Sequence, residues 1–163
     1  MDGLNIRVSK KSDKDAITEW LLEGDVLKWF PMTTKPEIED SINICMDYIK
    51  NGAMLTAEHD EKPCGMACLY LQYFKKFAHQ CLFVIIIKKE FRSKGVGSAL
   101  LRELMKIAKE KFHIEILHLE VYSGNPARAF YERFGFKKYG IQEKALKENN
   151  KTYVSKILMQ KYL

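Results

Sequence analysis

A continuous apolar run, followed by a turn with two glycines and an amphipathic helix, restricts the fold more than any other feature of this chain. Residues 81–87 are all apolar, which predicts a strand buried on both faces, as in the centre of a sheet. Apolar residues at helical spacing predict a helix over residues 96–112, and an alternating pattern predicts the next strand over residues 116–122. Together these elements indicate a β-α-β crossover.

The other segments add hairpins and helices around this crossover. The predicted order is β-α-α-β-β-β-α-β-α-β-β, which indicates an α/β domain with a mixed sheet. No repeat or linker divides the sequence, so we expect residues 1–163 to form one domain. The other predicted strands are 4–8, 53–58, 65–73, 139–145 and 152–159, with a turn at 59–63. Ser12 is the predicted N-cap of the first helix, which Gly24 divides. The capping box of Thr34 and Glu37 predicts the start of the next helix, and a short helix is predicted over residues 126–134.

The composition is that of a globular protein without a membrane-spanning segment. Apolar residues make up 47% of the 163 residues, too many for a disordered chain and enough for a core. The longest apolar run has seven residues, whereas a spanning helix needs about 20. The start of the chain has no apolar stretch of signal-peptide length, so we expect a cytoplasmic protein with no membrane partner. In the cytoplasm, cysteines that lack the spacing of a zinc site are expected to be small core residues. This applies to Cys45, Cys64, Cys68 and Cys81.

Positive charge is concentrated in one part of the sequence. The net charge is +6, and residues 88–111 hold eight basic but only three acidic residues. A local basic segment in an otherwise nearly neutral chain indicates a local anionic ligand, whereas a nucleic-acid-binding protein is more often basic over a whole face. Lys106, Lys109 and Lys111 can also be the solvated face of a helix. We therefore expect no nucleic-acid partner, and RNA binding by residues 88–111 is the alternative from another class of function.

The glycine turn, residues 92–98, joins the buried strand to the long helix. Its two glycines allow the backbone to turn tightly and to approach a ligand closely. The N–H groups at the start of the helix carry partial positive charge, and Arg92 and Lys94 add full charges beside them. This combination is typical of a diphosphate site. The spacing is not that of a P-loop, and it is not the dinucleotide fingerprint, because Leu100 occupies the last glycine position.

Two blocks of the sequence resemble the Gcn5-related N-acetyltransferase (GNAT) family. The first is Arg92-x-x-Gly95-x-Gly97, which is similar to the acetyl-CoA motif [Arg/Gln]-x-x-Gly-x-[Gly/Ala] that this family places between an apolar strand and a helix. The second block covers residues 119–136, and its last six residues match the Tyr-Glu-x-x-Gly-Phe pattern of the family. The resemblance is strong over residues 81–136, fair over the last hairpin and weak before residue 80.

The resemblance implies a mixed, mostly antiparallel central sheet flanked by helices, and acetyl-CoA as co-substrate with no metal. Backbone groups at the strand positions Ile85 and Ile87 would pair with the pantetheine amides. Tyr131 matches the tyrosine that protonates the departing CoA thiolate, and a phenol of pKa about 10 suits that role. Tyr131 can also be a buried aromatic residue that takes no part in proton transfer. The pyrophosphate would be held by the whole glycine turn: Arg92, Ser93, Lys94, Gly95, Val96, Gly97 and Ser98.

One position departs from the family pattern. The family usually has Asn seven residues before the tyrosine, but here Gly124 occupies that position and Asn125 lies one residue later. Asn125 can still reach the pantetheine if the loop adjusts. It can also serve only as a cap for the following helix, as Asn before Pro126 readily does. The sequence leaves both alternatives open.

The sequence does not identify the general base or the acceptor. Glu58, His79 and Glu120 are candidate bases by strand position, and a structural role or a chain of water molecules is an alternative. In this family the first two helices and the last hairpin wall the acceptor side, and residues 24–32 weakly resemble the branch that acetylates protein N-termini. The aromatic residues of these elements predict a partly aromatic pocket, and the alternative is that they are only part of the core. They are Trp20, Trp29, Phe30, Tyr48 and Tyr139.

These features predict an N-acetyltransferase that moves the acetyl group of acetyl-CoA to a primary amine by direct attack. The amine belongs to a small molecule or to a protein N-terminus, and we expect a monomer or homodimer. The alternative within the same fold is a catalytically silent homologue that binds acyl-CoA as a sensor.

Overall fold

The computed structural model describes residues 3–163, which form a seven-stranded sheet with helices on both faces. The strands are β1 (Leu4–Val8), β2 (Met54–His59), β3 (Lys62–Tyr70), β4 (Gln80–Ile87), β5 (Ile116–Tyr122), β6 (Lys137–Lys147) and β7 (Tyr153–Tyr162). The helices are α1 (Lys14–Leu22), α2 (Gly24–Leu27), α3 (Lys35–Asp47), α4 (Val96–Glu110) and α5 (Ala127–Arg133). This is the predicted order, with the first predicted helix divided at Gly24.

The strands lie side by side in the order β1-β2-β3-β4-β5-β7-β6. Strands β4 and β5 are parallel because α4 crosses over between them, and the other neighbouring pairs are antiparallel. The predicted mixed, mostly antiparallel sheet flanked by helices is therefore confirmed.

Apolar side chains pack against both faces of the sheet and form two cores. Helices α1, α2 and α3 cover one face, where Trp20, Ile38 and Ile42 are buried. Helices α4 and α5 cover the other face, and α4 buries an apolar stripe there: Val96, Leu100, Leu101, Leu104 and Ala108. All four cysteines are buried thiols. Among residues 3–163, none of the helices has the length and apolar character needed to cross a membrane.

Strands β4 and β5 part after a short contact. They pair over three positions, from Gln80 with Ile116 to Leu82 with His118. Beyond this point β4 continues alongside β3, and β5 continues alongside β7, so a gap opens between them. The prediction that β4 is buried on both faces therefore holds only in part, because residues beside the gap, such as Ile85, are half-buried.

Two local predictions are wrong. The turn predicted over residues 59–63 has only two residues, Asp60 and Glu61, both left-handed (φ 48° and 64°). Such pairs match the twist of a hairpin, so both strands continue up to the turn and β3 begins at Lys62. Ser12 is not the N-cap of α1; that position is occupied by Asp13, whose carboxylate binds Arg7 instead of the helix N–H groups.

Candidate active site

A cavity of about 540 Å³, here named the cleft, occupies the gap between β4 and β5. Its walls come from the second half of β4, the glycine turn, the start of α4, β5 and α5, with α2 and the residues after it on one side. Most of the predicted site residues meet here: Ile85, Ile87, Arg92, Ser93, Gly95, Gly97, Ser98, Asn125 and Tyr131.

The edge of β4 that faces the cleft has backbone groups without a neighbouring strand. Lys88 N donates to Cys64 O (2.9 Å), so residue 88 is a hydrogen-bonded position of the antiparallel β3–β4 ladder. Such positions alternate along a strand, so the N–H and C=O groups of Ile85 and Ile87 point away from β3 and into the gap. A strand edge of this kind can pair with an extended ligand that contains amides.

The glycine turn reverses the chain through two left-handed residues, Ser93 (φ 59°) and Gly95 (φ 88°). Glycine adopts this region without penalty, whereas Ser93 is a strained position. Because α4 begins within the turn, at Val96, the N–H groups of Val96, Gly97 and Ser98 have no acceptor within the helix. The turn therefore presents a row of partial positive charges to the cleft.

The charged residues of the turn are placed differently from one another. Arg92 borders the cleft, and its Nε donates to Ile87 O (3.1 Å), which holds the turn against the end of β4. Lys94 lies outside the cleft walls, with Nζ 5.7 Å from the centre of the Phe91 ring. The side chain of Val96 is also outside them, fully buried in the core, so only its backbone N–H is available to a ligand.

Gly97, in the first turn of α4, lies close to Ile87 and Phe130. A Cβ atom at this position would lie 3.6 Å from Ile87 Cγ1 and 3.7 Å from Phe130 Cζ, which is ordinary contact. Both neighbours line the cleft, so a side chain longer than that of alanine would enter it.

Tyr131 is packed among aromatic rings and still reaches the cleft. Its ring contacts Phe83, Phe130 and Phe136 at centroid distances of 5.9, 5.3 and 6.0 Å. The residue is 8% exposed, and burial raises the pKa of Tyr131 above the usual value of a phenol. The hydroxyl is therefore protonated at neutral pH.

Asn125 caps α5. Its Oδ1 accepts the N–H of Ala127 (2.9 Å), the first residue of that helix, so the capping role is present. The side chain also lines the cleft, and this contact leaves its Nδ2 group available. Gly124 precedes it in a left-handed conformation (φ 86°), which forms the tight turn between β5 and α5. Capping and contact with a ligand are thus compatible.

Of the three candidate bases, Glu120 is the one that borders the cleft. Its Oε2 lies 2.7 Å from Nζ of Lys156 on β7, which orients the carboxylate. Glu58 instead binds Arg7 (2.6 Å) in the contact between β1 and β2. His79 lies before β4, at the end of the strand away from the cleft. Neither Glu58 nor His79 is placed to take a proton there.

The aromatic residues predicted for the acceptor side divide into two groups. Trp29 and Phe30 line the cleft. Trp20 is fully buried in a core, Tyr48 packs edge-on against Tyr70, and Tyr139 is exposed on β6. The cleft is therefore partly aromatic, through the residues that directly follow α2.

Sequence reasoning missed two charged residues of the cleft, Asp25 and Arg133. Asp25 Oδ2 lies 2.6 Å from Lys89 Nζ, and the hydrogen bond from Lys89 lowers the pKa of Asp25. No local signal marks Asp25, because its partner is distant in the sequence. Arg133 belongs to the block that resembles the family, and its charge near Tyr131 is the signal that could have indicated it.

The basic segment, residues 88–111, is partly neutralised by neighbours. Lys88 pairs with Glu90 (3.1 Å), and Lys111 Nζ donates to a backbone carbonyl (2.7 Å). The Lys89 pair with Asp25 adds a negative charge from outside the segment, and the bond of Lys111 occupies its ammonium group without removing its charge, so these contacts compete with a polyanion for the lysines. They weaken the alternative of RNA binding by this segment.

The cleft thus lies where the parallel strands of a mixed sheet part beside the glycine turn, with a tyrosine at the gap. The sequence model of the acetyltransferase (GNAT) family matches residues 15–136, which is most of the chain. The chain therefore belongs to the GNAT family.

Solved structures share this fold over the whole chain. The ribosomal-protein-alanine N-acetyltransferase from Brucella melitensis has a TM-score of 0.83 and 22% identity, covering 98% of this chain and 99% of that one. A Salmonella typhimurium protein, solved with its cofactor acetyl-CoA, has a TM-score of 0.83 and 19% identity, covering 99% and 95%. At these identities the likeness shows the fold alone.

Curated relatives match a shorter region. An N-alpha-acetyltransferase from Saccharolobus solfataricus is 40% identical over 58 residues, which are 35% of this chain and 35% of that protein. The uncharacterized N-acetyltransferase CgeE from Bacillus subtilis is 35% identical over 77 residues, 47% of this chain and 29% of that protein. The matched region thus spans about a third of the length of these relatives.

Proposed function

We propose that this protein is an acetyltransferase that transfers the acetyl group of acetyl-CoA to a primary amine. The observation that carries the proposal is the cleft, in which an open strand edge, the glycine turn and Tyr131 meet. Membership of the GNAT family and the acetyl-CoA-containing structural neighbour support the same activity. In this proposal residues 1–163 act as one domain in the cytoplasm, as a monomer or homodimer and without a metal.

The residues of the cleft fit acetyl-CoA in two adjoining places. The N–H groups of Ile85 and Ile87 and the C=O of Ile85 suit the amides of an extended pantetheine arm, whereas the C=O of Ile87 already accepts from Arg92 Nε. The N–H groups at the start of α4, with the guanidinium of Arg92 beside them, suit a diphosphate. Because only residues 88–91 separate β4 from the turn, one extended ligand can reach both places. Asn125 offers a further donor from the opposite wall.

Acetyl-CoA supplies an acetyl group activated as a thioester, which a neutral amine attacks. Tyr131 holds its proton at neutral pH and donates it to the departing sulfur. Glu120, oriented by Lys156, is the carboxylate we propose to take the proton from the amine, directly or through water. An N–H group on the edge of β4 that does not pair with a pantetheine amide is the donor we propose for the oxygen that becomes negative during attack.

For the acceptor, we propose a primary amine at the mouth of the cleft beside Trp29 and Phe30. The relatives that are N-alpha-acetyltransferases favour the α-amine of a protein N-terminus over a small molecule. An aromatic wall suits the first side chains of a peptide.

A panel assay that follows free CoA tests the proposal. Acetyl-CoA is mixed with the protein and with small amines or short peptides that have free N-termini. We expect turnover with at least one acceptor class. A folded protein that binds no acetyl-CoA would overturn the proposal.

A catalytically silent acyl-CoA-binding protein is the second candidate. The observation that favours it is the packing of Tyr131 against three rings, which also suits a purely structural tyrosine. Calorimetric binding of acetyl-CoA without turnover on the whole panel would support this candidate. Binding of a generic RNA but not acetyl-CoA would instead support a nucleic-acid function.

A further inference from the structure

Three large aromatic side chains are exposed in one short loop at the end of the sheet away from the cleft. This segment, the aromatic loop of residues 72–79, connects β3 to β4. Tyr73 is 93% exposed, Phe74 is 68% exposed and Phe77 is 52% exposed. Single exposed aromatics are common on protein surfaces, but a cluster of three marks a place that contacts an apolar partner.

The aromatic loop has a defined conformation, so the exposure belongs to the folded protein. Phe77 N donates to Phe74 O (2.9 Å), which closes a helical turn within the loop. His79 O accepts the N–H of Glu115 (2.8 Å), which fixes the end of the loop to the segment before β5. The three rings are therefore held outward on a folded projection and are not part of an unfolded segment.

Positive charge accompanies the exposed rings. Lys75 and Lys76 lie between the aromatics, and the loop contains no acidic residue. Neither lysine takes part in the ion pairs found within residues 3–163. Aromatic rings prefer the level of lipid headgroups, and lysines beside them are attracted to anionic headgroups. The loop therefore has the chemistry that complements a negatively charged bilayer surface.

Single-stranded nucleic acid also binds aromatic and basic side chains, but the ring geometry is unfavourable for it. Successive bases stack on rings that present parallel faces. The rings of Tyr73 and Phe74 are 5.7 Å apart and meet at 81°, so they do not form one stacking surface for neighbouring bases. A convex projection with rings in several orientations suits a fluid interface better than a stacked ligand.

We propose that the aromatic loop docks this protein on the surface of an anionic phospholipid bilayer, with Tyr73, Phe74 and Phe77 inserted among the headgroups. Our expectation of no membrane partner was based on the absence of a spanning segment, and interfacial docking requires none. The loop precedes β4, whereas the cleft lies along the second half of that strand. Docking would therefore leave the cleft directed toward water.

Sedimentation with vesicles tests the proposal on the full chain. We expect the protein to sediment with vesicles of phosphatidylcholine and phosphatidylserine, and not with vesicles of phosphatidylcholine alone. Replacing both lysines (Lys75→Gln with Lys76→Gln) should weaken binding by roughly 25-fold, because each lysine near an anionic surface contributes about fivefold. The triple variant Tyr73→Ser, Phe74→Ser, Phe77→Ser should lose most of the binding. Added salt should weaken the wild type.

The last hairpin offers matched controls. Its exposed apolar residues are replaced in Tyr139→Ser, Ile141→Ser, Tyr153→Ser, and its exposed lysines in Lys137→Gln, Lys138→Gln. Both controls should bind vesicles like the wild type. All variants should keep wild-type affinity for acetyl-CoA, which reports folding and separates this proposal from the proposed enzyme function.

A spectroscopic measurement reports insertion directly. The four native cysteines are buried, so a thiol-reactive, polarity-sensitive dye labels Phe77→Cys selectively in the folded protein. A blue shift of the dye emission with anionic vesicles is the expected result. The proposal is overturned if the wild type does not bind anionic vesicles, if the loop variants bind as well as the hairpin controls, or if the loop binds RNA and not vesicles.

Discussion

Single residues at the cleft serve both packing and chemistry. Tyr131 fills a space among three rings and also reaches the cleft, and Asn125 caps α5 while lining the same space. Removing such a side chain would disturb the wall and the reaction together. The informative substitutions are therefore those that keep the shape and remove one group.

Replacing Tyr131 with Phe removes the hydroxyl and keeps the ring that packs against Phe83, Phe130 and Phe136. We expect unchanged affinity for acetyl-CoA and a loss of about 10²- to 10⁴-fold in the rate of the chemical step, the usual scale for a positioned general acid. Single-turnover rates are the measurement, because slow release of product can hide the loss at steady state. A chemical step within threefold of the wild type would assign Tyr131 to packing alone.

Asp13 is a buried carboxylate that ties β1 to α1 and β2. It is 2% exposed and accepts hydrogen bonds from Arg7 (2.8 and 2.9 Å) and Thr56 (2.8 Å). Burial by itself would raise the pKa of Asp13, but these donors and the Lys10 N–H outweigh it and lower the pKa. The contribution of this carboxylate to stability is thus present above the unfolded pKa of about 3.9 and is lost as the pH falls through the lower folded value.

We expect Asp13→Asn to lower the free energy of unfolding by about 3 kcal/mol at neutral pH, because it removes the more deeply buried of the two carboxylates that bind Arg7 and leaves only Glu58. The difference from the wild type should shrink as the pH falls below about 4. Urea denaturation over a pH series measures both effects. Glu39→Gln, which removes an exposed pair with Lys35 (3.8 Å), is the control and should change stability little. An Asp13→Asn effect that stays constant with pH would contradict this account.

At the scale of elements, the unit formed by β4, the glycine turn and α4 is the most predictable part of the fold. A continuous apolar run, two glycines and an amphipathic pattern are local signals, and the structure starts α4 at Val96 as predicted. The parting of β4 from β5 depends on pairing between distant segments, so no local pattern indicates it. The same limit explains why Asp25 was missed and why Glu58 and His79 remained candidates.

Edge elements were predicted less accurately for a related reason. Strand β6 extends over Lys137–Lys147, beyond the predicted residues 139–145, and its side chains are mostly exposed. An exposed edge strand lacks the alternation of buried and polar residues on which strand prediction depends. Irregular pairing with β7 between Lys138 and Gly140 disturbs the pattern further.

Gly97→Asp tests the role of the helix start. A carboxylate at this position would enter the cleft between Ile87 and Phe130, beside the N–H groups that we assign to the diphosphate. We expect acetyl-CoA binding to be lost, because the carboxylate repels the diphosphate and blocks its approach. Gly97→Asn has the same size without the charge and should retain more affinity.

Calorimetry with acetyl-CoA measures both variants, and circular dichroism confirms that they are folded. Wild-type affinity in a folded Gly97→Asp protein would place the phosphates elsewhere. Equal losses in the Asp and Asn variants would assign the effect to size and not to charge.

At the scale of the whole molecule, the sheet has two parts. One contains β1, β2, β3 and β4, and the other contains β5, β7 and β6. They are joined directly by the three paired positions at the start of β4 and β5. Helices pack on both faces, but the gap itself is lined by half-buried apolar strand residues and polar groups. A ligand that fills this gap would contact both parts of the sheet and should stabilise the whole fold.

We therefore expect acetyl-CoA to raise the melting temperature. At about 100 times its dissociation constant, a ligand that binds only the folded state adds roughly 2.7 kcal/mol to the free energy of unfolding. Differential scanning fluorimetry over a concentration series measures the shift, with adenosine as a control that lacks the diphosphate and pantetheine. No shift at millimolar acetyl-CoA would contradict the assignment of the cleft.

The open edge of β4 also has a consequence for the exchange of amide hydrogens with water. The amides of Val84, Ile86 and Lys88 are bonded to β3 and should exchange only when the sheet opens, whereas those of Ile85 and Ile87 face the gap and should exchange quickly. Exchange measured residue by residue with NMR should thus alternate along one strand, and acetyl-CoA should slow the fast positions selectively. Uniform protection along β4 in the free protein would contradict this. In this sense β4 is a strand with one partner missing, and the ligand takes the place of the absent neighbour.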